Sequence, residues 1–150
     1  MLPQARLVAR LKSLPGVTEL VGGNVFGAIV PDIKSYPAIV YQVLSNPPAN
    51  DADGSCNQYM MRLRITAIAL SIGGKMPPYD AAWAIAMAIV GDAENEDGPT
   101  GISGWIDDAG SVWHVQDMFD EAGAIELETG DFWAYCVNIP CTVQWTAVPA

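Results

Sequence analysis

The sequence predicts a single α+β domain, an antiparallel or mixed β-sheet with two α-helices packed on one face, in the order α-β-β-β-α-β-β. Three observations predict it. Residues 58–70 and 132–146 alternate apolar and polar side chains with period two. Residues 4–14 repeat leucines at helical spacing, and an alanine-rich run from Pro77 or Pro78 to Val90 forms a second helical pattern. At 150 residues, with 51% apolar side chains and five tryptophans, the chain has the length and composition of one domain with its own core. There is no internal repeat and no second core, so residues 1–150 read as one unit.

The elements follow in order. Leu7, Val8, Leu11 and Leu14 line one side of the first helix, opposite Arg6, Arg10 and Lys12. Pro3 suits its first turn, and Pro15-Gly16 ends it. Val17–Val21 reads as a short apolar turn. Val25–Val30 is a strand stopped by Pro31, and Ala38–Ser45, rich in β-branched and aromatic residues, is the next. Residues 46–57 begin Asn46-Pro47-Pro48 and continue through Asp51 and Asp53; two prolines and a small polar run cannot pair in a ladder, so this is an exposed arm. In Gln58–Leu70, Tyr59, Met61, Leu63, Ile65, Ala67 and Ala69 point one way, and Arg62, Arg64 and Thr66 the other. That strand has one wet or interface-facing side. In the second helix Tyr79, Trp83, Ala86 or Met87, and Val90 recur at three-to-four spacing, with small alanines between them to allow close packing on a sheet. Gly91 ends it. Residues 92–109 form a polar, acidic connection with a short strand near Trp105. Val112–Phe119 is a strand, residues 120–130 a turn region, and Phe132–Thr146 the last strand. Pro140 within it marks an edge position or a bulge.

Charge is the most informative bulk property. Residues 1–75 hold all seven basic side chains against four carboxylates; residues 76–150 hold thirteen carboxylates and no lysine or arginine. A net charge of −10 without clustered cations argues against tight nucleic-acid binding, which needs Lys/Arg to displace phosphate counterions. Two readings stay open: a solvated acidic face that keeps the chain in solution, or opposed charges that let identical copies meet head to tail. On the second, the candidate interface comprises Arg6, Arg10, Lys12, Arg62 and Arg64, with Asn46, Pro47, Pro48, Asp51 and Asp53 of the arm. The candidate acidic surface, facing a neighbour or a channel, comprises Asp92, Glu94, Glu96, Asp97, Asp107, Asp108, Asp120 and Glu121.

No catalytic, cofactor-binding or metal site is expected. The chain has no G-x-S-x-G, no Walker-type loop and no H-E-x-x-H. Gly22-Gly23 lacks the third glycine and the preceding strand of a dinucleotide fingerprint. His114 is the only histidine and no CxxC pair exists, which argues against a zinc site. The 92–97 carboxylates lack the residue order of a calcium loop. Cys56, Cys136 and Cys141, an odd set with no export signal ahead of them, read as reduced thiols, Cys136 and Cys141 on opposite faces of one strand. No run approaches the roughly 20 apolar residues of a membrane span, so the chain is expected to be soluble, with no membrane partner.

Several strings carry a resemblance. Gly22-Gly23-Asn24-Val25-Phe26, then Tyr36-Pro37-Ala38-Ile39-Val40-Tyr41-Gln42, are similar to the "GGRVY"-like turn and "P-x-x-V-Y-Q" strand of the tail-completion or tail-terminator proteins of long-tailed bacteriophages. Glu128-Thr129-Gly130-Asp131-Phe132-Trp133-Ala134-Tyr135 resembles the family's "E-x-x-T-G-x-x-R" lead into its last strand. The order of elements resembles that family across nearly the whole chain. The resemblance implies a structural, non-enzymatic virion protein, made in the host cytoplasm and located at the head–tail junction. Such proteins form a ring, usually sixfold, that caps the tail tube and joins it to the neck. The implied partners are further copies of the chain, the tail-tube protein and a neck or head-completion protein, with DNA passing through without sticking. The alternatives are another neck, connector or tail-tube protein, and, from a different class, a small-ligand binding module or hydrolase built near Trp105, Trp113 and His114.

Overall fold

The computed structural model describes residues 2–27, 37–48, 58–70, 78–115, 120–126 and 133–146, with 120–126 and 133 described by their backbone. Helix α1 (Pro3–Ser13) starts with proline in its first turn and buries Leu7 and Leu11. Leu14 then turns extended (φ −84°, ψ 116°), as the residue before a proline is forced to do, and Pro15 opens a second helix. This helix, α2 (Pro15–Val21), buries Val17 and Val21 and ends at Gly22, whose φ of 61° is the left-handed conformation glycine tolerates. The apolar stretch 17–21 is thus a helix rather than a turn, and the molecule has three helices rather than two.

Strands β1 (Val25–Gly27), β2 (Ala38–Ser45), β3 (Gln58–Leu70), β4 (Trp113–Val115), β5 (Asp120–Glu126) and β6 (Trp133–Thr146) form one mixed sheet, and helix α3 (Pro78–Val90) follows β3. The order across the sheet is β1-β2-β3-β6-β4, with β5 also paired to β6; β1 and β2 run parallel and the other pairs antiparallel. Residues 28–30 of the expected first strand lie outside the described residues. Strand β5 occupies part of the expected 120–130 turn. Its sequence, Asp120-Glu-Ala-Gly-Ala-Ile-Glu126, is poor in strand-forming side chains, and pairing with β6 supplies what local propensity does not.

Alternation sorts the central strands as expected. Met61, Leu63, Ile65, Ala67 and Ala69 of β3 and Val137, Ile139, Cys141 and Val143 of β6 are buried with Ile39 against Leu7, Leu11, Val17, Val21, Ile85 and Ile89. All three helices therefore cover one face, and Arg62 and Arg64 stand exposed on the other. The long strand β6 is central, not an edge. Its Pro140 pairs in register with Arg64. On the opposite side β5 reaches Asn138 and β4 begins at Cys141, so among the described residues no strand partner faces Pro140 where its N–H is missing.

Helix α3 departs in part from its expected orientation, though Ala86 of the expected stripe is buried and Trp83 and Val90 pack against the core. Ala82, Ile85, Ala86 and Ile89 face the sheet, whereas Tyr79 and Met87 are about half exposed (50% and 49%). An alanine-rich helix is apolar nearly all round, so its pattern selects no face. The sheet takes the side whose small residues allow the closest approach.

Candidate functional site

The acidic connection is built around a hairpin. Trp113 of β4 donates its backbone N–H to the Trp105 carbonyl (2.8 Å) and accepts from Gly104 N (3.0 Å). At the tip, Asp107 N donates to the Ser111 carbonyl (3.0 Å) and Gly110 N to the Asp107 carbonyl (2.9 Å). Gly110 adopts φ 82°, which a side chain resists. This folds the Asp107 side chain inward, to zero exposure.

Four donors converge on that carboxylate. Ala109 N and Ser111 N donate to Oδ1, each at 3.0 Å, and the Trp113 indole Nε1–H donates to Oδ2 at 3.0 Å. Arg6 Nε, from α1, reaches the same Oδ2 at 2.7 Å. Burial alone pushes the Asp107 carboxyl up. The Trp113 and Ser111 hydrogen bonds and the Arg6 guanidinium outweigh it and hold the group below the usual carboxylate range. One turn along α1, Arg10 Nη2 donates to the carbonyls of Pro99 (2.8 Å) and Gly101 (3.1 Å), and its guanidinium carbon lies 5.3 Å from the Trp105 ring centroid. Trp105 in turn stacks on Trp113 at 5.4 Å. The connection is therefore clamped onto α1 by two arginines and does not hang free as an acidic spacer.

It is also seated on the end of α3. Ile102 N and Ser103 N donate to the carbonyls of Ile89 (2.8 Å) and Val90 (3.1 Å). Two glycines permit this approach: a Cβ at Gly101 would collide with both of those carbonyls, and one at Gly91 (φ 67°) with the backbone of Gly101. Gly101→Ala is expected to lower stability by about 1–3 kcal/mol, because the obstacle is backbone and cannot rotate away. The matched control is Gly23→Ala, where nothing lies within 4 Å, expected within ~0.5 kcal/mol of the parent. Urea unfolding midpoints compare the two.

The residues proposed from sequence for assembly now divide. Arg6 and Arg10 are engaged within the chain, on Asp107 and on the 99–101 carbonyls. Asp107 is buried within the chain. Lys12, Arg62 and Arg64 are exposed, and Arg64 Nη2 donates to Gln42 Oε1 across the strands (2.8 Å). The start of the arm lies along the sheet: Asn46 Oδ1 accepts from the Trp145 indole (2.9 Å), Pro47 O from Met60 N (2.9 Å), and Pro48 bridges to Tyr59. Asp51 and Asp53 lie outside the described residues. Asp92, Glu94, Glu96, Asp97 and Asp108 are exposed on the connection. Asp120 and Glu121 pair through their backbones with Asn138 and Val137. Sequence reasoning missed the Asp107 hub. Its signal was Asp107-x-x-Gly110-Ser111 between two tryptophans, the composition of a tight hairpin.

Of the residues of the small-ligand alternative, Trp105 and Trp113 stack on each other, but His114 does not join them. Trp113 is buried in the core, whereas His114, next in β4, points to the opposite, exposed side. Burial pushes the Cys136 thiol up to about 11 and the Cys141 thiol up to about 12, so both are protonated and unreactive at neutral pH. Among the described residues no group of three His, Cys, Asp or Glu side chains is placed to hold a metal ion. No described helix is long and apolar enough to cross a membrane.

With this geometry in place, comparison with known proteins is specific. The model of the family described as Tail completion protein gp17 matches residues 5–114, a span from within α1 through the hub to β4. Among solved structures, a chain of a particle titled "Virion of native gene transfer agent (GTA) particle" superposes with a TM-score of 0.57. The match covers 95% of this chain and 95% of that one at 16% identity, a likeness of fold. No curated protein matches.

Proposed function

The chain belongs to the tail completion protein family, a structural component of phage tails, and from that premise we propose that copies of it close a ring, sixfold in the first instance, on the end of the tail tube. The ring terminates the tube and joins it to the neck beneath the head. Its partners are further copies of itself, the tail-tube protein and a neck or head-completion protein, and the genome passes through its channel. The host cytoplasm is where it is made.

The observation that carries this reading is the segregation of charge between two sides of the described structure. The helix-free face of the sheet presents Arg62 and Arg64, while the connection clamped to the helix layer presents Asp92, Glu94, Glu96 and Asp97. A cyclic ring needs two different, complementary surfaces on each subunit. The net charge of −10 supports passage of DNA, since a predominantly negative wall gives phosphates nothing to hold.

Assembly without this chain tests the proposal. The expected result is tails of uncontrolled length that fail to join heads, with wild-type particles showing ring density at the head–tail junction in electron micrographs. Tails of normal length joined to heads in the absence of the chain would overturn it.

A further inference from the structure

We propose that the helix-free face of the sheet, centred on Arg62 and Arg64, is the seat for the Asp92–Asp97 turn of a second copy of this chain. The inference rests on the ring reading above and assigns its seam.

The register defines the seat. Arg64 lies between Gln42 of β2 and Pro140 of β6, and Arg62 pairs with Thr142, which in turn pairs with His114 of β4. Two residues apart on one face, the arginines stand about 7 Å from each other. Arg64 is held across the strands by a neutral amide, Gln42, rather than by an acid. Among the described side chains of this face there is no carboxylate: its rungs carry Gln, Thr, Asn, Pro and apolar residues beside the two arginines and His114. Its described side chains therefore combine hydrogen-bonding groups with two like charges.

The complementary surface is on the other side of the molecule. Asp92, Glu94, Glu96 and Asp97 are all exposed, and no described residue of this chain forms an ion pair with them. Their backbone is fixed: Glu94 N donates to Asp92 Oδ1 (2.9 Å), Asp92 N to Thr100 Oγ1 (2.6 Å), Thr100 N to Asp92 O (3.1 Å) and Gly98 N to Asn95 O (3.0 Å). Arg10 then secures the base of the turn through the Pro99 and Gly101 carbonyls. A turn ordered before contact loses little conformational freedom on binding. Because the connection packs on α1 and α3 while the arginines point away from the helix layer, one copy cannot bring its own two surfaces together. A second copy can, and each then keeps one surface free for the next, which is a heterologous, propagating contact. Electrostatic complementarity of this kind sets register and encounter rate, and it weakens with salt.

The test is a charge swap read by sedimentation velocity over protein concentration and salt, with isolated tail tubes added as a second condition. Arg62→Glu/Arg64→Glu and Glu94→Lys/Glu96→Lys/Asp97→Lys are each expected to weaken self-association at least ~10-fold. Asp92 is left intact so that its turn hydrogen bonds survive, and an unchanged melting temperature checks folding. A chain carrying both sets is expected to recover association with itself and not with the wild type. If the wild type associates and either reversal changes its dissociation constant by less than ~3-fold, or the double-swapped chain fails to recover, this seam is wrong while the ring stands. If the wild type stays monomeric at every concentration and on tube ends, both are wrong.

Discussion

Replacing Asp107 with alanine is expected to cost about 3–5 kcal/mol of stability at neutral pH, the range for breaking a buried ion pair from one side. The carboxylate is fully buried and accepts from Ala109, Ser111, Trp113 and Arg6. Its removal takes away the acceptor of two backbone N–H groups and an indole N–H, and the carboxylate partner of Arg6. Asp107→Asn keeps one acceptor oxygen and should fall between. The effect has a pH signature. The folded carboxyl is held below its ordinary value of 3.8. Its stabilisation is therefore fully present above the unfolded pKa, about 3.9, and is lost as pH falls through the lower folded value. Urea midpoints of wild type and Asp107→Ala should thus differ most at pH 5–7 and converge in the acid limb below pH ~4. A difference under ~1 kcal/mol at pH 7, or one that persists undiminished into strong acid, would contradict the hub.

Trp113→Ala should cost a comparable ~3–5 kcal/mol. The indole is wholly buried, stacks on Trp105 and donates to Asp107. The two substitutions share that hydrogen bond and the hairpin around it, so their effects should not add. The double variant should be less destabilised than the sum of the singles by about 0.5–3 kcal/mol. Simple additivity would mean that the indole and the carboxylate act on stability independently.

The inner faces of β3 and of β6 from Val137 to Val143 were legible in the sequence, because a strand's two-residue period is a local property; Ala134 and Cys136, on the side of β6 read as outward, are buried as well. The leucines of α1 were legible for the same reason. Helix α3 was legible as a helix and only partly in its orientation: of the expected stripe Ala86 is buried and Trp83 and Val90 pack against the core, but Tyr79 is half exposed, and Ala82, Ile85 and Ile89 face the sheet. Helix α2 was obscured by its seven residues, too few to display a period. Strand β5 was obscured by its composition, since its existence depends on β6.

Arg6 and Arg10 were legible as the polar side of α1, but not their engagement within the chain. Their partners, Asp107 and the Pro99 and Gly101 carbonyls, lie 101, 89 and 91 residues away, beyond any local pattern. The α+β class, the inner faces of the central strands and the one-sided charge of the second half are all written in the residue order. Those follow from periodicity and composition, which act over a few residues or over the whole chain at once. Which charges are used up inside the molecule and which remain at its surface follows from the packing of the folded chain. That choice depends on where the chain returns upon itself. Here it returns through a glycine-seated connection that draws Asp107 inward to Arg6 and leaves Arg62 and Arg64 facing out.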